Sequence, residues 1–419
     1  MGQSFLHAAD LHIGTPLASL GRRARLDDVA LAELTETMQS AYDRLVDLAI
    51  DEQVAFVVLA GDVYDNAEAQ DAQQGRFHAG LERLHDAGIP TFIALGNHDP
   101  AEQRVRARRP LPPSVHVFAP DEPEERLVET DGPVVHVAGV SYGRTAVDDN
   151  LAARFRRFDR QPGTLRVGVL HTSLEGSAEH ASYAPCSVAD LDAAPVDYWA
   201  LGHIHLRQVA RLSGVGRWYA YPGNLQGRSF KPSECHPKGA LLVPFDEYGI
   251  GEPTFRALDT VRFTDLSVDV SDADEVDAVH ESVHDAIVGA ASAAEGRRLV
   301  ARVELTGRSA HHAEFARQVD AGRFLERFDD SFGDALGAVL LVGVRSSVAP
   351  PLDTSVLRQG DDLLSAALRR LDSLSDSDLL AGLDGLVHPR FDVDLDRSPE
   401  QVGGFRTMVE SALVQELAS

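Results

Sequence analysis

One pattern constrains this chain more than any other, and it occurs five times: a short apolar run stops abruptly in a cluster of ligand-type residues. Residues 4–8 close on Asp10-Leu11-His12-Ile13-Gly14, and residues 54–59 on Ala60-Gly61-Asp62-Val63-Tyr64-Asp65. Residues 90–95 close on Gly96-Asn97-His98-Asp99, 165–170 on His171-Thr172-Ser173, and 196–201 on Gly202-His203-Ile204-His205. Apolar runs of this length between turn residues read as buried strands. Sites in α/β sheets gather at the carboxyl ends of strands. One polar residue at a strand end is an ordinary cap or surface group, but five coincident clusters predict a shared site.

The residue types narrow its chemistry. Asp10 and His12 are two apart, so an extended backbone would point both to one face. The same spacing recurs at His203 and His205, with Ile204 facing away. Asn97 offers a neutral oxygen. Together Asp10, His12, Asp62, Asn97, His171, His203 and His205 form a nitrogen and oxygen donor set without thiolate. That set exceeds one ion's needs, fits two adjacent ones, and suits Mn²⁺, Fe or Zn. A carboxylate has two oxygens, so Asp62 can bridge. Paired ions about 3.5–4 Å apart activate water and stabilise both oxygens of an in-line displacement at phosphorus. His98 is left over as a proton donor to the departing oxygen. Asp65 is placed to orient its imidazole and hold it protonated. Asp99 has no role that the sequence assigns.

Between these runs, Leu31, Leu34, Met38, Ala41, Leu45 and Leu48 carry helical spacing over residues 27–52, and a further helix is expected over 69–87. Strands are expected at 134–140 and 240–245. Beyond about residue 258 the clusters cease. Expected strands at 263–270, 299–305 and 338–344, with helices at 274–294 and 314–320, make a small α+β unit in which His311-His312 reads as surface. Val348-Ala349-Pro350-Pro351-Leu352 reads as a linker. Helical stripes follow at 361–371, 376–383 and 399–417. The expected domains are thus 1–258, 259–347 and 348–419.

A chain of 419 residues is too long for one core. No run approaches the 18 or so apolar residues of a membrane span, and the start lacks the basic and long apolar regions of a signal peptide. With only Cys186 and Cys235, the chain reads as cytoplasmic, with reduced thiols that pack as small apolar groups. A net charge of −26 argues against wholesale nucleic-acid binding, but it reads equally as a solvated surface adapted to a salty or GC-rich host, so local charge and site chemistry decide the partner. Against that trend, Arg104, Arg106, Arg108 and Arg109 form the densest basic cluster, directly after Asn97 and His98. They are candidates to track a phosphate backbone; a solvated loop is the alternative.

The ordered set Asp-x-His, Gly-Asp, Gly-Asn-His-Asp, His, Gly-His-x-His resembles the calcineurin-like metallophosphoesterases over residues 1–245. Residues 5–14 and 61–65 are similar to the SbcD-type DNA exonuclease subunits. Tyr183-Ala184-Pro185-Cys186, residues 197–205 and Tyr221-Pro222-Gly223-Asn224-Leu225-Gln226-Gly227-Arg228 resemble the YhaO-type branch. The resemblance implies an α/β fold: a two-sheet β-sandwich flanked by helices, with a smaller α+β capping domain and a C-terminal helical segment. It implies one ion on Asp10, His12, Asp62 and His205, and another on Asp62, Asn97, His171 and His203. It also implies manganese, DNA as substrate, and a coiled-coil ABC-type ATPase gripped by the C-terminal helices, and it leaves a homodimer open. Phosphoprotein phosphatases of the superfamily carry an arginine where this chain has Asn66, which counts against a protein phosphatase. The expected function is a two-metal-dependent DNA nuclease, a repair exonuclease subunit. The alternatives are a phosphodiesterase or pyrophosphatase on small molecules, and a DNA-end-binding scaffold.

Overall fold

Alternation along the strands decides what each sheet face meets. A computed structural model describes residues 3–15, 17–23, 26–65, 71–103, 110–120, 122–174, 184–332, 339–351 and 354–379, with 406, 409, 410 and 413. In chain order the first elements are β1 (Gln3–Ala8), α1 (Ala18–Arg23), α2 (Asp28–Asp51), β2 (Val57–Ala60), α3 (Asp71–Asp86), β3 (Thr91–Ala94), β4 (Val115–Val117) and β5 (Glu124–Val128). Then come β6 (Val134–Val140), β7 (Thr164–His171), α4 (Val188–Ala193), β8 (Tyr198–Gly202), β9 (Gln208–Arg211), β10 (Trp218–Tyr221), β11 (Gly239–Asp246), β12 (Gly249–Ile250) and β13 (Thr254–Ala257).

These strands build two sheets. The first runs β12-β11-β1-β2-β3-β4, with β13 also on β11; the second runs β5-β6-β7-β8-β10-β9. β1 to β4 are mutually parallel, as are β6, β7, β8 and β10. Parallel order is what brings the strand ends of each sheet to one edge. Phe5 and Ala9 face the opposite sheet, in a core shared with Phe56, Val58, Phe92, Val167, Val169 and Tyr198. Leu6 and Ala8 face outward, beneath Tyr42 and Leu45 of α2 and Leu81 and Leu84 of α3. The outer face of the second sheet is covered through Leu191 of α4 and through Leu151 and Phe155. Asp27 starts α2 by accepting a hydrogen bond from the Ala30 amide, 2.8 Å.

Up to α9, described last below, the expected strands and helices are present within a few residues of their predicted limits. The helical stripe expected at 399–417 lies almost wholly outside the described residues. Among the strands not anticipated, β4, β5, β9, β12 and β13 are short and largely half-exposed, so no apolar run announces them.

The remaining elements are β14 (Val261–Asp269), α5 (Val276–Ala293), β15 (Arg298–Thr306), α6 (His312–Asp320), α7 (Arg323–Phe332), β16 (Val339–Ser346), α8 (Thr354–Leu357) and α9 (Leu363–Ser373). β14, β15 and β16 form a third sheet. Val261, Phe263, Val300 and Val342 from that sheet pack with Leu17, Leu20, Leu34 and Met38 of the α1–α2 region. The chain divides into two compact units. The first comprises Met1–Val268, Asp277–Leu305 and Arg317–Ser346; the second comprises Asp269–Val276, Thr306–Ala316 and Ser347–Ser419. Within the second, Leu364 and Leu368 of α9 pack with Leu357 and Leu413, and Arg358 bridges Asp372 and Glu410. Among the described residues, no helix is long and apolar enough to cross a membrane.

Candidate metal centre

The first sheet delivers Asp10, His12, Asp62, Asn97 and His98 from the loops after β1, β2 and β3. The extended geometry expected at Asp10 and His12 is not what the backbone adopts. Their φ angles are 50° and 46°, Asp62 has 50° and His203 has 101°. Left-handed backbone is uncommon for residues with a Cβ and costs of order 1–3 kcal/mol. It is held by loop-to-loop pairing, since the Asp10 amide donates to Gly61 and the His12 amide to Asp62, both at 3.0 Å. The loops after β1 and β2 thus turn their side chains inward while staying hydrogen bonded to each other.

The second sheet delivers His171 from the end of β7, and His203 and His205 from the loop after β8. Two glycines let it approach. A Cβ on Gly61, at φ +91°, would stand 2.2 Å from His171 Nδ1, and one on Gly202 would stand 1.8 Å from the Ala60 carbonyl oxygen. Asp10 joins the sheets directly, with both carboxylate oxygens accepting from the His203 amide at 3.1 and 3.0 Å.

The side chains meet in a way that calls for cations. His171 Nδ1–H donates to the Ala60 carbonyl at 2.9 Å, so in the neutral ring Nε2 carries the lone pair that a metal would take. That Nε2 stands 3.1 Å from Asn97 Oδ1 and 3.4 Å from Asp62 Oδ2. His205 Nδ1–H donates to Glu234 at 2.8 Å, and His12 Nδ1 faces Asp65 at 3.2 Å. The Nε2 atoms of His12 and His205 consequently face each other at 3.2 Å. Asp62 Oδ2 lies 3.8 Å from His12 Nε2, and Asp10 Oδ1 lies 4.0 Å from His205 Nε2. Nitrogen and oxygen donor atoms from both sheets thus converge within about one ion's reach of each other, an arrangement that divalent ions suit. Asp10, His12 and His205 form one candidate ion-holding group, and Asp10, Asp62 and His171 another. The residues present fit a pair of divalent ions.

Electrostatics agree with that donor set. Burial pushes the Asp10 carboxyl above its ordinary range, against the pull of His171 and His205. Burial acts upward on Asp62 as well, but the imidazoles of His171 and then His12 carry it below the usual carboxylate range. Burial works against a charge on His171, yet Asp62 raises it to about 9, so the pocket already favours a positive charge there. Burial, then the Arg228 guanidinium, lowers His12 to about 4, the neutral form a metal requires.

His98 is exposed; it stands outside the two groups that include Asp10 and forms a third with His12 and Asp65. Its Nδ1–H donates to the main-chain carbonyl of Asp65 at 2.7 Å, so Nε2 is the nitrogen free of that bond. This corrects the expected carboxylate–imidazole pairing. The Asp65 carboxylate instead turns to His12 and to Arg228, whose Nη1 lies 2.5 Å away.

Several supporting residues are not apparent from the sequence. Asp99 accepts from the amides of Val63 (2.8 Å), Tyr64 (3.3 Å) and Gly96 (2.9 Å), tying the loop after β3 to the loop after β2. Burial and the nearby Asp62 raise its carboxyl to about 6. Glu234 and Lys238 come from the segment before β11, and Lys238 Nζ donates to the carbonyls of His205 (2.7 Å) and Ser233. The only signals for these residues are the unassigned Asp99 beside His98 and the Arg228 that ends the Tyr221–Arg228 stretch. Nothing local marks Glu234. The candidate DNA-contact residues Arg104, Arg106, Arg108 and Arg109 lie outside the described residues, as do Asn66 and Tyr183. Cys186 and Cys235 are not joined in a disulfide.

Residues 4–207 match the calcineurin-like phosphoesterase family, and residues 263–334 match the middle domain of metallophosphoesterase YhaO. The chain is 35% identical over 283 residues to a Bacillus subtilis protein described as uncharacterized metallophosphoesterase YhaO, covering 67% of each chain. It is 26% identical over 250 residues to the DNA double-strand break repair protein Mre11 of Sulfurisphaera tokodaii, covering 57% of this chain and 59% of that one. It is also 26% identical over 255 residues to the SbcD component of the Bacillus subtilis nuclease SbcCD, covering 52% of this chain and 62% of that one. It therefore spans about two thirds or less of the length of these relatives. The matched segment contains every strand end that contributes to the centre, and the likeness to YhaO extends beyond it. On these grounds the chain belongs to the calcineurin-like metallophosphoesterase family.

Proposed function

We propose that this chain is a two-metal phosphodiester hydrolase acting on DNA, the nuclease subunit of a repair exonuclease, with Mn²⁺ as its ions. One observation carries the two-ion reading. Asp62 Oδ1 accepts the His98 amide at 3.0 Å, which leaves Oδ2 between His12 Nε2 (3.8 Å) and His171 Nε2 (3.4 Å). A single carboxylate oxygen so placed can serve both ion positions. In this reading Asp10, His12, Asp62 and His205 hold one ion, and Asp62, Asn97, His171 and His203 hold the other. Two divalent ions there would lower the pKa of water and draw charge from the phosphoryl oxygens.

The protein's own part is positioning and proton transfer. Asp62 couples ion and acid, because the amide that fixes its Oδ1 belongs to His98. His98 has Nδ1–H committed to a carbonyl, so its Nε2 is the atom that gives a proton to the leaving oxygen. Its exposure suits contact with a polymer that has to enter from solvent. DNA as the substrate is supported by the names of the Mre11 and SbcD relatives. The ABC-type ATPase partner, docked through residues 348–419, belongs to the same reading. Co-elution with that ATPase that survives deletion of everything after Pro351 would contradict the docking.

Digestion of end-labelled DNA with Mn²⁺, in competition with a chromogenic phosphodiester and free nucleotides, tests the substrate. Labelled nucleotide release that chelator abolishes is the expected result. A preference for the small substrates by orders of magnitude would make the chain a small-molecule phosphodiesterase. His98→Ala should lower turnover roughly 10²–10⁴-fold with both ions still bound; unchanged turnover would remove His98 from the reaction.

A further inference from the structure

The two ion positions are supported by different kinds of partner. On one side, His205 Nδ1–H donates to Glu234 Oε1 at 2.8 Å. Glu234 is 4% exposed, and its other oxygen accepts from Asn224 Nδ2 (2.8 Å) and from the Arg228 amide (3.0 Å). The Arg228 guanidinium reaches the Asp65 oxygen that faces His12 (2.5 Å) and approaches Glu234 Oε1 at 3.9 Å. Both imidazoles of this position are therefore backed by carboxylates, and one arginine joins the two carboxylates. On the other side, His171 is backed by the neutral main-chain carbonyl of Ala60, 2.9 Å from its Nδ1.

From this contrast, and resting on the two-ion reading above, we infer that Glu234 is a positioning residue that sets ion affinity at the His12/His205 position alone. A carboxylate behind a ligand imidazole fixes its tautomer and raises its basicity, and losing such a partner typically costs about 10–100-fold in metal affinity. A main-chain carbonyl gives orientation without the charge. The His171 Nδ1 bond runs to the strand backbone, so a change at Glu234 leaves it intact. The arrangement makes the ligand imidazoles unequal: His12 and His205 stand before a buried ionic network, and His171 before the strand backbone.

The test is Mn²⁺ titration of the full-length, metal-stripped chain by calorimetry, without substrate, alongside electron paramagnetic resonance of the bound ions. Wild type should bind two ions and show a spin-coupled pair at saturation. Glu234→Gln should weaken one binding step by roughly 10–100-fold and leave the other in place. At intermediate Mn²⁺ it should give an isolated-ion spectrum where wild type gives the coupled one. Glu234→Asp, which keeps the charge, should recover part of the loss; it also serves if the glutamine variant fails to match wild type in thermal unfolding. Equal weakening of both steps, or of neither, overturns the assignment. A wild-type chain that binds one ion overturns the two-ion reading itself, and the assignment with it, whatever Glu234 variants do.

Discussion

The two sheets of the sandwich bring different chemistry to one place. The first supplies both carboxylates and the amide, Asp10, Asp62 and Asn97, together with His12 and His98. The second supplies imidazoles only, His171, His203 and His205. Each candidate ion-holding group that contains Asp10 draws on both sheets: Asp10, His12 and His205, or Asp10, Asp62 and His171. A third group, His12, Asp65 and His98, comes from the first sheet's loops alone, so the two groups built on Asp10 are the ones that need both sheets. The centre is consequently a property of the sheet-to-sheet contact, and perturbing that contact should disturb chemistry in proportion to the displacement.

The largest effect is expected at Gly202. A Cβ there would sit 1.8 Å from the Ala60 carbonyl oxygen, a main-chain atom that also accepts from His171. Gly202→Ala must push the sheets apart at their catalytic edge. It should cost about 1–3 kcal/mol of stability and on the order of 10²-fold in turnover, the penalty typical of a 1 Å misplacement. Denaturant unfolding and steady-state rates check both; wild-type turnover would show that the sheets have slack there.

A pH-dependent effect, small near neutrality, concerns His7, buried on β1 and hydrogen bonded through Nδ1 to the Tyr198 hydroxyl of the second sheet at 3.0 Å. Burial lowers its pKa from 6.5 to about 3. Between those values the unfolded chain binds a proton that the folded chain refuses. This group's contribution therefore makes stability fall as pH drops through 6.5 towards 3, by at most about 1.4 kcal/mol per pH unit. His7→Gln keeps hydrogen-bonding capacity and should flatten that part of the profile; an unchanged slope would show that His7 is not its source. The smallest effect is expected for Tyr198→Phe, about 1 kcal/mol for the lost bond, read by urea unfolding.

The same division governs what the sequence discloses. Strands buried on both faces appear as apolar runs, so β1, β2, β3, β7 and β8 and the candidate ligands at their ends are legible. Edge strands such as β4, half-exposed, and β9, mostly exposed, are three or four residues long and carry no such signature. The left-handed φ values at Asp10, His12, Asp62 and His203 are also hidden, because pairing between neighbouring loops imposes them and no residue type announces them. The Asp65 contact departs from expectation for a related reason. Arg228, 163 residues away in sequence, claims its carboxylate and leaves His98 the backbone carbonyl. Ligands are named by residue type at a strand end, whereas their supports are chosen by proximity in three dimensions.

In the proposed centre, Asp62 would join a pair of ions across the two sheets. Anomalous scattering from crystals of the chain grown with Mn²⁺ tests it most directly. Two peaks roughly 3.5–4 Å apart are expected, with Asp62 between them, His12 and His205 on one side, and Asn97 and His171 on the other. A single peak, or two that do not share Asp62, would contradict it.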